Sequence, residues 1–179
     1  MKKFVSLLLA LALCCTAVMA LAEAPSKTVA DLNTTETEGD ALISTLNLDD
    51  PAVAQYAAAF LPVFESMKNA ASVEEFFAGF DIKTLIGAET LNVNECVLAF
   101  ANPVDAYEGT MQVTFGFATP YAEGEKVAVM TGIANGTEVN WNMIEGTGNA
   151  DGAVVCDVDY NTYKTLSDNS PVLVAVVSK

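Results

Sequence analysis

One stretch of the chain carries oxygen ligands at a metal-binding spacing. Asp157, Asp159, Asn161 and Asp168 stand at positions 1, 3, 5 and 12 of a calcium-loop pattern, in which hard oxygen donors converge on one cation. Position 6 of such a loop turns sharply and is ordinarily glycine. Here it is Thr162, whose β-branched side chain disfavours a positive φ. Val154, Cys156, Val158 and Tyr160 also alternate as the apolar side of a strand, which leaves Asp157 and Asp159 on its solvent side. The strand reading is preferred, and the four residues stand as a weak calcium candidate.

Carboxylates supply the other chemistry. Two of them run glycoside hydrolysis without a histidine, and Glu138 and Glu145 flank Trp141, the single tryptophan. With 23 acidic residues, however, such pairs arise from composition alone. The chain has no His and no Arg; all eight basic residues are lysines. That removes the commonest general base, the Ser-His-Asp and Cys-His arrangements, and the imidazole ligands of catalytic zinc. No catalytic residues and no cofactor are predicted, so the chain reads as non-enzymatic. Without arginine clamps or clustered positive charge, nucleic acid, nucleotides and anionic lipid surfaces are unsuited as partners. Trp141 between Asn140 and Asn142 offers a ring for stacking on a sugar, but its phase with Val139 and Met143 favours a place in the core.

These residues belong to a chain that opens like an exported one. Lys2 and Lys3, the apolar run from Phe4 to Val18 and the small-x-small Ala20-Leu21-Ala22 read as a signal peptide cleaved after Ala22. The apolar run is shorter than the roughly 20 residues that cross a bilayer, and no second span follows. Cys14 and Cys15 raise a lipoprotein reading, which the large Leu11 and Leu13 before Cys14 disfavour. The expectation is a secreted, extracellular bacterial protein of 157 residues. Its six lysines against 23 carboxylates give a charge of −17, suited to solubility and repulsive to polyanions. Cys96 and Cys156 remain after cleavage. Export permits a disulfide between them, closing a loop of about 60 residues worth roughly 4 kcal/mol in the chain-entropy model. Two buried free thiols fit the same strand phases.

The elements that must position these residues follow from periodicity. Residues 23–48 read as a polar, flexible lead-in, in which Leu42, Ile43 and Leu46 form at most one docking turn. Residues 49–88 read as a helical segment. Asp49 or Asp50 caps a first helix with Pro51 at its first position, Val53, Tyr56, Phe60, Phe64 and Met67 share a face, and Pro62 predicts a kink or break. A capping box from Ser72 to Glu75 opens a second helix that buries Phe76, Phe77 and Phe80. From about Leu91 the period changes to two. Strand-like runs cover 91–101, 110–118, 126–133, 138–144, 153–160 and 172–177, separated by turn clusters, with Asn135-Gly136 as a hairpin centre. Residues 89–179 are thus expected to form an antiparallel β-sandwich domain, preceded by the short two-helix segment.

The strings Gly124 to Met130, Val139-Asn140-Trp141, Asp151 to Cys156 and Ser170 to Val176 resemble the immunoglobulin-like β-sandwich modules of bacterial exported and cell-surface proteins, over roughly residues 89–178. The resemblance implies a spacer, stalk or adhesion unit and transfers no catalytic residue. The sequence expectation is a cell-surface or extracellular interaction module with an unknown protein or glycan partner. A carbohydrate- or calcium-binding module is the alternative, and a His-free glycosidase the third.

Overall fold

The computed structural model describes residues 32–34, 41–48, 50–69, 72–117, 120–135 and 138–179. The leader, most of the lead-in, Asp49 and Gly136 lie outside the described residues. The strands are β1 (Leu32–Thr34), β2 (Ile43–Asn47), β3 (Asn92–Ala101), β4 (Thr110–Phe115), β5 (Lys126–Asn135), β6 (Glu138–Gly148), β7 (Val154–Asp159) and β8 (Val172–Ser178). They form one antiparallel series in the order β1-β4-β7-β6-β5-β8-β3-β2. The protein is mainly β and antiparallel, as the period-two runs require. The strands belong to one hydrogen-bonded sheet, however, and not to two separate ones. β1 and β2 lie at opposite ends of the series yet approach each other, so the sheet curls on itself.

Curling gives the sheet two differently covered sides. Its concave side gathers Val97, Val113, Phe115, Val129, Val154 and Val174 with their neighbours into one cluster, closed by Tyr163 and Leu166 of helix α3 (Tyr160–Asp168). On the convex side Leu98, Met130, Leu173 and Val177 lie under Phe60 and Met67 of α1 (Ala54–Asn69), Phe77, and Ile82 of α2 (Ile82–Ile86). β8 runs between β5 and β3 with both sides covered, and all seven of its residues are buried. A strand so placed needs an uninterrupted apolar run, which Val172–Val177 supplies.

The helical segment departs from expectation in two places. Asp50 caps the first turn, accepting from the Ala52 amide at 2.7 Å, with Pro51 where a missing N–H costs nothing. Pro62 does not break α1, because Phe60 and Met67 anchor the helix to the sheet on either side of it. Ser72 caps only a 3-10 turn, Val73–Phe77, and the short α2 follows. Gly79 at φ 98° separates the two, a conformation no L-residue adopts cheaply.

Two elements were not legible locally. Part of the lead-in is β2, which pairs Ile43–Asn47 with Val97–Ala101 and buries Ile43. The run 153–160 ends as a strand at Asp159, whose carboxylate caps α3. Tyr163 in α3 ties these pieces together: its hydroxyl donates to Asn102 Oδ1 at 2.9 Å and lies 3.2 Å from the Leu42 carbonyl.

The β5–β6 ladder runs from Asn135↔Glu138 to Lys126↔Thr147, so Asn135 ends its strand instead of centring the turn. β6 meets β7 only over Gly146–Gly148. A Cβ on Gly146 would lie 2.5 Å from Val154 Cγ1 and 2.8 Å from Val127 Cγ2; on Gly148 it would lie 2.1 Å from the Ala122 carbonyl oxygen. The two glycines therefore form a corner at which one part of the sheet folds over the other. Gly146→Ala is expected to cost about 1–3 kcal/mol by overpacking the buried side chains of Val154 and Val127. Gly148→Ala should cost more, because a backbone carbonyl stands in the way. Urea denaturation of the two variants checks the size and the order.

Candidate functional site

Beyond the corner, β6 has lost its neighbour. Continuing the β6–β7 register by one step would oppose Glu145 to Asp157, both exposed. Like charges directly across a ladder are destabilising, and the pairing stops there. Among the described residues no strand adjoins Glu138–Glu145 on the side away from β5. Alternate residues of an antiparallel strand direct their N–H and C=O to alternate sides. Every second residue of this stretch therefore turns its backbone polar groups toward the open side.

The faces of the stretch differ. Asn140 and Asn142 pair with Ile133 and Thr131 and share the concave side with Ile144, yet both are exposed. On the concave face of the outer hairpin the β6 positions 140 and 142 are thus uncovered, while the opposing Thr131 is buried and Ile133 half-buried against the concave cluster. On the convex side Trp141 lies across Gly132, where a Cβ would come within 2.7 Å of the ring. The indole meets Phe77 edge-to-face at 5.0 Å. Trp141 is half-buried in the convex cluster, so it stiffens the hairpin instead of presenting a free sugar-stacking face. Glu138, Glu145 and Asp157 rim the opening, and neither β6 nor β7 contains a lysine.

The calcium candidates do not converge. Asp157 is on β7; Asp159 accepts from the Thr162 amide at 2.7 Å as the cap of α3; Asn161 and Asp168 lie near opposite ends of that helix. The Thr162 hydrogen bond holds the Asp159 carboxyl below its ordinary 3.8, so the cap is lost only as pH falls through that lower value. Asp168 pairs with Lys164. Asp159 caps a helix at this point, which spreads Asn161 and Asp168 about 10 Å along its axis. Among the described residues no group of three or more Cys, Asp or Glu side chains is arranged to hold a metal ion. Glu138 and Glu145 lie seven residues apart on opposite faces of β6, about 24 Å at strand rise, far beyond the 5–9.5 Å that glycoside hydrolysis uses.

Cys96 and Cys156 are free thiols, one of the two arrangements that their strand phases allow. Cys156 belongs to the concave cluster and Cys96 packs with the convex one, so the sheet itself lies between them. Burial, with Asp157 adjacent, pushes the Cys156 thiol up to about 12. Cys96 is partly exposed and lines a cavity of about 320 Å³ with Phe64, Met67 and Val93.

No protein-family model, curated protein or solved structure matches the chain. The open edge is what sequence reasoning missed. Its only sequence signals are Gly146 and Gly148 and the matched acids Glu145 and Asp157, and these acquire meaning only with the register.

The thiol placement has two measurable consequences. An alkylating reagent at pH 8 should label Cys96 before Cys156, with Cys156 reacting only on unfolding, and a reducing agent should leave the melting temperature unchanged. Because Cys156 keeps its proton to about pH 12 when folded but releases it near 9.0 when unfolded, stability should fall as pH rises through that window. Cys156→Ala should flatten part of the fall in a thermal-denaturation series.

Proposed function

We propose that the chain is a non-enzymatic exported interaction module whose working surface is the open side of β6. The observation that carries this reading is the run Glu138–Glu145, which among the described residues has no strand beside it on the side away from β5, is braced by Trp141 on Gly132 and Phe77, and exposes Asn140 and Asn142 on its concave face. Unpaired strand edges are ordinarily blunted, covered or used for recognition. The leader-like first 22 residues support an extracellular place of work, and the acidic composition supports a solvated surface that selects partners by charge.

The immunoglobulin-like layering belongs to the same proposal. Its support is that β4 and β7 face β3, β5 and β8 across one concave cluster, with a short ladder at the glycine corner joining the two groups. A photo-crosslinking residue placed at Asn142 in the mature chain, exposed to secreted and cell-surface material of the producing cell, should give a discrete adduct. The same residue at exposed Ala59 on α1 should not. Equal adducts at both positions, or none at Asn142, would overturn the reading.

A further inference from the structure

We infer that the open side of β6 takes up an extended basic segment of a partner protein as an added strand, with its cationic side chains meeting Glu138 at one end and Glu145 with Asp157 at the other. The inference rests on the interaction-module reading and names the chemistry of the partner.

Backbone geometry sets the first requirement. A row of unpaired N–H and C=O groups is satisfied most completely by another extended backbone at ladder spacing, which supplies affinity without reading sequence. Side-chain charge then decides which chain. The stretch has a carboxylate at each end, Asp157 stands across the opening from Glu145, and neither bordering strand carries a lysine. The same charges argue against a second copy as occupant. Antiparallel self-pairing centred on Glu138–Glu145 would set Glu138 of each copy against Glu145 of the other, and the expected mature charge of −17 adds long-range repulsion.

The two carboxylates also impose a spacing. Glu138 and Glu145 are seven residues apart and therefore point to opposite faces. An added strand that meets both must carry cations seven residues apart, so that they too alternate to opposite faces. A spacing of six puts both cations on one face and satisfies only one carboxylate.

Blocked eight-residue peptides of alternating Thr and Val test this. One carries Lys at positions 1 and 8, one at 1 and 7, one carries Glu at 1 and 8, and one has the first pattern with a central Pro. Each is titrated into the mature chain while Trp141 fluorescence and amide hydrogen exchange are followed. The first peptide should bind saturably, protect amides within 138–145, and weaken with added salt. The Glu-ended and Pro-containing peptides should bind about tenfold more weakly or not at all, and the six-spaced peptide should fall between. The double variant Glu138→Lys with Glu145→Lys, its fold checked by circular dichroism, should reverse the preference toward the Glu-ended peptide. Three results overturn the inference: no protection within 138–145, equal affinity for Lys-ended and Glu-ended peptides, or protection that rises with protein concentration in the absence of peptide, which would make a second copy the occupant. If any of these occurs while Asn142 still gives its discrete adduct, the basic-strand partner fails and the interaction-module reading stands.

Discussion

The close approach at Gly146 and Gly148 is the constraint on which the rest of the structure depends. There β6, β7 and the Ala122 segment come together at distances that leave no room for a Cβ. Because β6 can reach β7 only through this corner, the sheet bends and the strands on either side of it share one concave core. The same corner ends the β6–β7 ladder, so among the described residues the outer part of β6 has no strand beside it on the side away from β5. Closure of the core and exposure of the edge are one geometric event.

Burial on both sides of the sheet makes that bend tolerable. β8 and the middle of β5 are covered on two faces, so their backbone hydrogen bonds are shielded from water and their side chains fix the register from above and below. The convex cover comes from a segment, α1 to α2, inserted between β2 and β3. It also explains why a proline inside α1 is accommodated: helix stability here comes from Phe60 and Met67 packed on the sheet, against which one missing backbone bond is a small loss. Trp141 is the point where this cover meets the free hairpin, since Phe77 braces it. The exposed edge is therefore held by the core and does not depend on its own pairing for shape.

Charge works against this packing and also directs it. A surface this acidic gives up some stability to self-repulsion and gains solubility. Its local effect is sharper at Glu145 and Asp157, where two carboxylates at adjacent register positions oppose continuation of a ladder that the backbone alone would extend.

Much of this was legible in the residues alone. The absence of His and Arg, the acidic balance, the period-two runs that became β3 to β8, the Asp50-Pro51 helix start and the core phase of Trp141 are local properties, and local properties survive folding. Alternation tells which residues share a face. It does not tell which strands are neighbours, because that depends on pairings between residues far apart in the chain. The sheet order, the recruitment of Ile43–Asn47 as β2, the sheet lying between Cys96 and Cys156, and the place where β6 parts from β7 were therefore decided only by tertiary structure. The α3 helix is an intermediate case: Asp159 and the 160, 163, 166 spacing of Tyr, Tyr and Leu are in the sequence. Their helical meaning was masked by the strand period that runs into them. Sequence determined the kind of surface this protein has and the periods of its elements, while long-range register determined which stretch of that surface was left open.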